Sequence, residues 1–303
     1  ERSLNLLPTP RGGGLAISFV AGVAHLLVAV FVVAPAGSAI IAFVMWTAAA
    51  LGFAALGWMD DRQPRPARLR LVVQLLLAAA FVAAVGVAVP PTFVIVSAVA
   101  AVVTIVAIVW VVNVYNFMDG ADGFAALQAL LTLGGALLIP GVVLTTPVAL
   151  LAAVLAGAAA GFLLWNRPPA RIFMGDVGSY LVGFELAAFT LIEHNAGGRA
   201  LLWLILFLPF VVDATMTLLR RMARGERWWT AHRSHAYQRL VLSGWSPRRL
   251  LLAQAAVNLG LCWPLAWWAA AVPAAAPMAL TLGALVLLAL WVVVVASRGQ
   301  TTV

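Results

Sequence analysis

The sequence contains no lysine, and all 18 of its basic residues are arginine. Its one cysteine, Cys262, excludes an internal disulfide. Acids number only ten, and charged residues make up 9% of the chain against 64% hydrophobic. Soluble domains carry about 25% charged and roughly 45–50% apolar residues, which excludes that class. The apolar runs also lack the period-two alternation of a transmembrane barrel. No linker, internal repeat or low-complexity tail divides the chain, so residues 1–303 read as one membrane domain. No cleavable secretory signal is expected, because the first apolar run is too long and many more follow it. The missing lysine, beside so much Ala, Val and Gly, reflects a GC-rich coding sequence and not a function.

What the chain has is long apolar runs. About 20 such residues cross a hydrocarbon core of about 30 Å as a helix. Spans are expected at about 14–34, 38–59, 69–89, 91–112, 123–140, 143–165, 177–193, 199–219, 249–271 and 274–296. The fold class is therefore all-α, a polytopic integral membrane protein of about ten transmembrane helices. The chain begins with Glu1 and not Met, so its native start is expected to be missing; were an N-terminal helix missing with it, the spans would number eleven.

Threading these spans puts the N-terminus, 60–70, 113–122, 166–176, 220–248 and the C-terminus on one face. Of the 18 arginines only Arg199 falls at the other face. By the positive-inside rule the first face is cytoplasmic. The formal net charge of +8 is then a topological signal, with no nucleic-acid partner implied. The outer loops are short Pro/Gly/Ala turns with only Glu193 and His194 as reactive side chains. The inner loops hold five of the six aspartates, at span ends in three separate loops. Carboxylates gathered beside arginines at one surface repel one another unless a cation or ligand holds them, which points to a metal- and phosphate-handling site.

In "MDDRQ", Asp60 and Asp61 are adjacent, a common way to hold Mg²⁺ through oxygen; alternatively they form a solvated helix end facing Arg62 and Arg65. In "NVYNFMDGADG", Asn113, Asn116, Asp119 and Asp122 recur every three residues and would share one helical face. In "WNRPPARIFMGDVGSY", Pro168 and Pro169 break a helix, and Gly175-Asp176 starts another whose N–H groups suit an anion. Asn166 and Phe173 in that stretch read equally well as a cap and a core anchor. The loop "RRMARGERWWTAHRSHAYQRL" offers arginine forks for phosphate and two histidines three apart, His232 and His235. Its Trp228 and Trp229 suit an interfacial anchor. His25 reads as a satisfied buried histidine, while Glu185 and Asp213 are functional suspects by their place within spans.

The ordered series "PTPRGGG", "DDRQ", "NVYNFMDGADG", "RIFMGDVGS" and "HRSHAYQRL" resembles the polyprenyl-phosphate N-acetylhexosamine-1-phosphate transferases, glycosyltransferase family 4. It is most similar to their O-antigen-initiating branch. The resemblance implies transfer of a sugar 1-phosphate from a UDP-N-acetylhexosamine to undecaprenyl phosphate in a bacterial inner membrane, releasing UMP. It implies Mg²⁺, with Mn²⁺ as a substitute, held by Asn116 and Asp176. By the same resemblance Asp60 and Asp61 serve the lipid phosphate, and Asp119 and Asp122 the nucleotide site. Asn166 and Phe173 contact the uracil, Arg11 helps with the nucleotide, and His232, Arg233 and His235 close on sugar and diphosphate. Membrane lipids are partners, and a homodimer is left open. Direct attack and a two-step route through an aspartyl-phosphate both stay open. A secondary transporter would place its polar residues near the midplane, usually with repeats. A CDP-alcohol phosphatidyltransferase would need an arginine that "DGADGFAAL" lacks. The sugar is not legible.

Overall fold

The computed structural model describes residues 9–36, 39–88, 94–227, 230 and 232–297. Within them the chain is helical, and its long helices stand where the apolar runs placed the spans. They are α1 (Gly13–Val33), α2 (Ile40–Arg62), α3 (Ala67–Val85), α4 (Val94–Met118), α5 (Phe124–Leu138), α6 (Thr146–Asn166), α7 (Gly175–Asn195) and α8 (Ala200–Ala223). A short α9 (Ala236–Leu242) precedes α10 (Pro247–Ala271) and α11 (Ala276–Ser297). Nine helices are long and apolar enough to cross a membrane, and α5 is a shorter apolar one. Trp228 and Trp229 lie outside the described residues.

The bundle is built around α7, which packs against α1, α2, α4, α6 and α8. It is the least apolar of the nine spans and the most enclosed, with Ser179, Glu185 and Glu193 all buried. Protein, not lipid, surrounds α7, so it can carry polar groups that find partners within the bundle. Small residues permit its close crossings. A Cβ on Gly14 of α1 would lie 2.3 Å from the backbone nitrogen of Gly178, and one on Gly183 would lie 2.8 Å from Cα of Val112.

His25 behaves as expected: its Nε2 stands 2.9 Å from Glu185 Oε1 and its Nδ1 3.0 Å from Thr47 Oγ1. Trp46 Nε1 donates to the other Glu185 oxygen at 3.1 Å. Glu185 therefore has core partners, which accounts for one of the two suspect acids. The four-residue stripe, by contrast, does not form. Helix α4 ends at Met118, so only Asn113 and Asn116 are helical. Asp119 and Asp122 lie in a turn that Gly123 closes at φ 75°, a left-handed value suited to glycine.

Candidate active site

Adjacent aspartates at the end of α2 do different things. Asp61 accepts the backbone N–H groups of Asp176 and Val177, each at 3.0 Å, and so caps the first turn of α7 from a neighbouring helix. Those are the N–H groups the sequence offered to a bound anion. A protein carboxylate already holds them. Gly175 has φ 75°, and a Cβ there would fall 2.6 Å from Asp61 Oδ2, so glycine serves both the turn and the contact. Gly57, one helical turn before Asp60 and Asp61, brings α2 in: its Cβ would stand 2.2 Å from the Asp176 carbonyl oxygen.

Asp60 is buried and accepts from the Arg65 backbone N–H and from Arg70 Nη1, both at 2.6 Å. Arg70 Nη1 also lies 3.9 Å from Asp176 Oδ2 and donates to Tyr180 Oη at 3.4 Å. The arginine side chains expected to face the pair do not carry it. Arg62 lies over the Trp58 ring at 4.3 Å, and Arg65 contributes its backbone. Asp176 Oδ1 accepts from Asn116 Nδ2 at 2.7 Å, and the same nitrogen donates to Ser179 Oγ at 2.9 Å. Asp119 joins the group: its carboxyl is raised well above the usual carboxylate range, first by burial, then by the charges of Asp176 and Asp61, with Arg11 opposing. Asp60, Asp61, Asp119 and Asp176 thus share one neighbourhood with Arg70 and Arg11.

Two further acceptors brace the surrounding loops. Asp122 Oδ2 accepts from Ala170 N at 2.9 Å; burial raises its carboxyl above the usual range while that N–H opposes the shift. Asn166 is buried, accepting from Gly123 N and donating to Ile172 O, each at 2.8 Å. Arg11 and Phe173 form a parallel backbone bridge, with Phe173 N donating to Pro10 O at 2.9 Å. Two of the residues assigned to a nucleotide, far apart in sequence, are therefore neighbours.

A cavity of about 500 Å³ opens between α3, α4 and α8. Its lining includes Leu71 and Val106, which are exposed apolar residues on the outside of the bundle, and Arg70, His232 and His235. Arg70 is thus common to the aspartate cluster and to this cavity. His235 is 4% exposed; its Nδ1 has no hydrogen-bond partner and stands 3.7 Å from Asp213 Oδ1. His232 Nδ1 lies 2.8 Å from Ser234 Oγ, and Arg233 is exposed.

The sequence profile described as glycosyl transferase family 4 matches residues 43–194, half of the chain. The chain belongs to this family. Decaprenyl-phosphate N-acetylglucosaminephosphotransferase of Mycobacterium tuberculosis is 36% identical over 127 residues, covering 37% of this chain and 31% of the relative. Phospho-N-acetylmuramoyl-pentapeptide-transferase of Listeria welshimeri is 32% identical over 111 residues, covering 35% of this chain and 32% of the relative. The chain spans about a third of the length of these curated relatives. The family match takes in Asp60, Asp61, Asn116, Asp119, Asp122, Asn166, Phe173 and Asp176. Arg11 and the loop carrying His232, Arg233 and His235 lie outside it and are brought to the site by the fold.

Asn116 and Asp176 offer a carboxamide and a carboxylate amid excess negative charge. Mg²⁺ takes oxygen donors, commonly one or two carboxylates with waters and substrate phosphates, so the donor set fits such an ion. The Asn116 amide would have to turn over to present its oxygen, since its nitrogen now faces Asp176. Among the described residues no three His, Cys, Asp or Glu side chains gather to hold an ion unaided.

Sequence reasoning missed Arg70. Its signal was present: an arginine inside the first turn of a span, where a charge demands a partner. The pair of half-buried Asn113 and buried Gln74, joined from Asn113 Nδ2 to Gln74 Oε1 at 2.7 Å beside the cavity, was half read.

Proposed function

We propose that this protein transfers an N-acetylhexosamine 1-phosphate from its UDP-sugar to undecaprenyl phosphate at the cytoplasmic face of a bacterial inner membrane. The observation that carries the reading is Arg70, which bonds Asp60 within the aspartate cluster and also lines an apolar cavity that reaches the outside of the bundle. An isoprenoid chain fits the cavity's apolar lining, with its phosphate toward Arg70. Arg11 and Phe173 form the neighbouring place for the nucleotide, and the 232–235 loop the cover over the diphosphate.

In the reaction a lipid phosphate oxygen attacks the sugar-bound phosphorus, the bond from that phosphorus to the bridging oxygen breaks, and UMP leaves. Such a transfer depends on in-line positioning and on charge neutralisation more than on covalent chemistry. Mg²⁺ held by Asp176 and Asn116 would supply that neutralisation on the diphosphate. A phosphate monoester is already mostly ionised near its second pKa of about 6, so a base gains little. Asp60 therefore positions: it fixes Arg70, which holds the acceptor phosphate. Asp61 keeps the first turn of α7, and with it Asp176, in place. Asn166 and Asp122 hold the 119–123 turn and the 170–172 segment in register.

The test is purified protein with undecaprenyl phosphate and a panel of UDP-sugars, scoring UMP release. UMP formed only when lipid acceptor and one UDP-N-acetylhexosamine are both present supports the reading. Release from no UDP-sugar, or release independent of the lipid, rejects it.

A further inference from the structure

We propose that Asp213 is the positioning residue of the 232–235 loop: from within α8 its carboxylate fixes the first turn of α9 and thereby the place of the His235 ring at the cavity. The proposal rests on the transfer reading above, in which that loop covers the diphosphate. It assigns the acid that the rest of the site leaves over.

Helix α9 has seven residues, and isolated helices shorter than about 12–15 are marginal in water, so something must hold it. At its start the His235 ring packs on Phe117 at 6.2 Å and on His232 at 4.9 Å, but cavities flank it on two sides. On one side lies the cavity of about 500 Å³ that His235 and Gln238 line. On the other lies a second, of about 410 Å³, that Asp213, Ala236 and Tyr237 line. Between them Asp213 Oδ1 accepts from Ala236 N at 2.8 Å and Oδ2 from Tyr237 N at 3.2 Å. These are the free N–H groups of the first turn, and the carboxylate satisfies them from another helix. Thr217 Oγ1, one turn along α8, donates to Asp213 Oδ1 at 3.1 Å and fixes the rotamer. Other ties act beside it: His235 N donates to Gln238 Oε1 at 3.3 Å, a capping box at the start of α9, while Tyr237 Oη donates to Phe117 O at 3.1 Å and its ring stacks on Phe124 at 4.8 Å.

His235, the N-cap, sits against the same carboxylate. Its buried Nδ1 is 3.7 Å from Asp213 Oδ1 and has no other partner. A small closing of the loop would make this a hydrogen bond from Nδ1–H, which fixes the tautomer and leaves Nε2 for a ligand. An acid inside a membrane-spanning helix is costly unless a partner holds it. Asp213 meets that condition through Thr217 on its own helix and through the two N–H groups of the loop it positions.

The experiment uses the full chain in lipid nanodiscs, as wild type, Asp213→Asn, His235→Ala, the double variant and Ala236→Pro. The last removes one N–H to Asp213 while keeping the acid. Proline is tolerated at the first position of a helix, and His235 already has the extended backbone (φ −60°, ψ 151°) that a following proline requires. Amide exchange over 232–242 is read together with UMP release. In Asp213→Asn exchange at Ala236 and Tyr237 should quicken about tenfold or more, with α7 unchanged. Turnover should fall about 100-fold with the KM for undecaprenyl phosphate unchanged, and the double variant should lie within about threefold of His235→Ala, as residues acting as a unit do. Ala236→Pro should move exchange at Tyr237 and turnover in the same direction. Wild-type exchange in Asp213→Asn, or losses that multiply in the double variant, would overturn the proposal. If wild type itself releases no UMP, the transfer reading fails and the exchange result alone decides the role of Asp213.

Discussion

Helix α7 carries a carboxylate at each end, and the two ends are built differently. At the outer end Glu193 is fully buried and accepts from Leu144 N at 2.5 Å, Thr145 N at 3.0 Å and Thr145 Oγ1 at 2.6 Å. It holds the two residues that lead into α6, and the arginine of that end, Arg199, donates to the carbonyls of Ala269 and Ala270. At the inner end Asp176 shares its space with Asp60, Asp61 and Asp119, and Arg70 must serve both Asp60 and Asp176. A buried acid is therefore not in itself a sign of function. Glu193 is a strut with its acceptors filled, whereas the inner cluster holds more negative charge than its own arginines offset. That excess calls for a cation or an enzyme–substrate contact.

The contrast can be broken by substitution. Asp176→Asn should lower UMP release at least about 1,000-fold, since stabilising charge on a transferring phosphoryl group is worth several kcal/mol, while the melting temperature stays close to wild type. Retained activity would erase the difference between the two ends. Gly57→Ala leaves every charge in place but forces α2 from α7; misplacement by about 1 Å costs about 100-fold, so kcat should fall by about that much. An unaffected kcat would show that the glycine contact does not set the geometry of the cluster. Phe173→Ala should raise the KM for UDP-sugar about 5- to 150-fold, from a stacking surface worth about 1–3 kcal/mol, and leave the KM for undecaprenyl phosphate unchanged. A change in the lipid KM alone would move Phe173 to the lipid groove. Glu193→Ala should be the reverse of Asp176→Asn: stability falls by about 1–3 kcal/mol for each stranded N–H, and kcat holds within about twofold. Thermal unfolding beside kinetics separates the two.

The helical architecture was legible because span length is a one-dimensional signal, and each expected span has its helix. The aspartate cluster was legible as excess charge on one face. What each acid does was not, because carboxylates that cap a distant backbone look the same in sequence as those that face a ligand. Asp61 and Asp176 are separated by more than a hundred residues, and the folded packing of α2 on α7, close at Gly57 and Gly175, brings them together. The stripe from Asn113 to Asp122 failed because spacing alone cannot reveal that the helix ends at Met118. Arg70 was hidden by its neighbours, one of several arginines in a basic loop until its place inside α3 set it apart.

The central claim is that the cluster at the start of α7 is a cation-dependent transfer site. It is tested most directly by UMP release from purified wild-type protein with undecaprenyl phosphate and UDP-GlcNAc or its N-acetylhexosamine isomers, in excess EDTA and after Mg²⁺ is restored. The account predicts no release in EDTA and full recovery with Mg²⁺, with Mn²⁺ substituting and no recovery in Asp176→Asn. Full release in excess EDTA would contradict it.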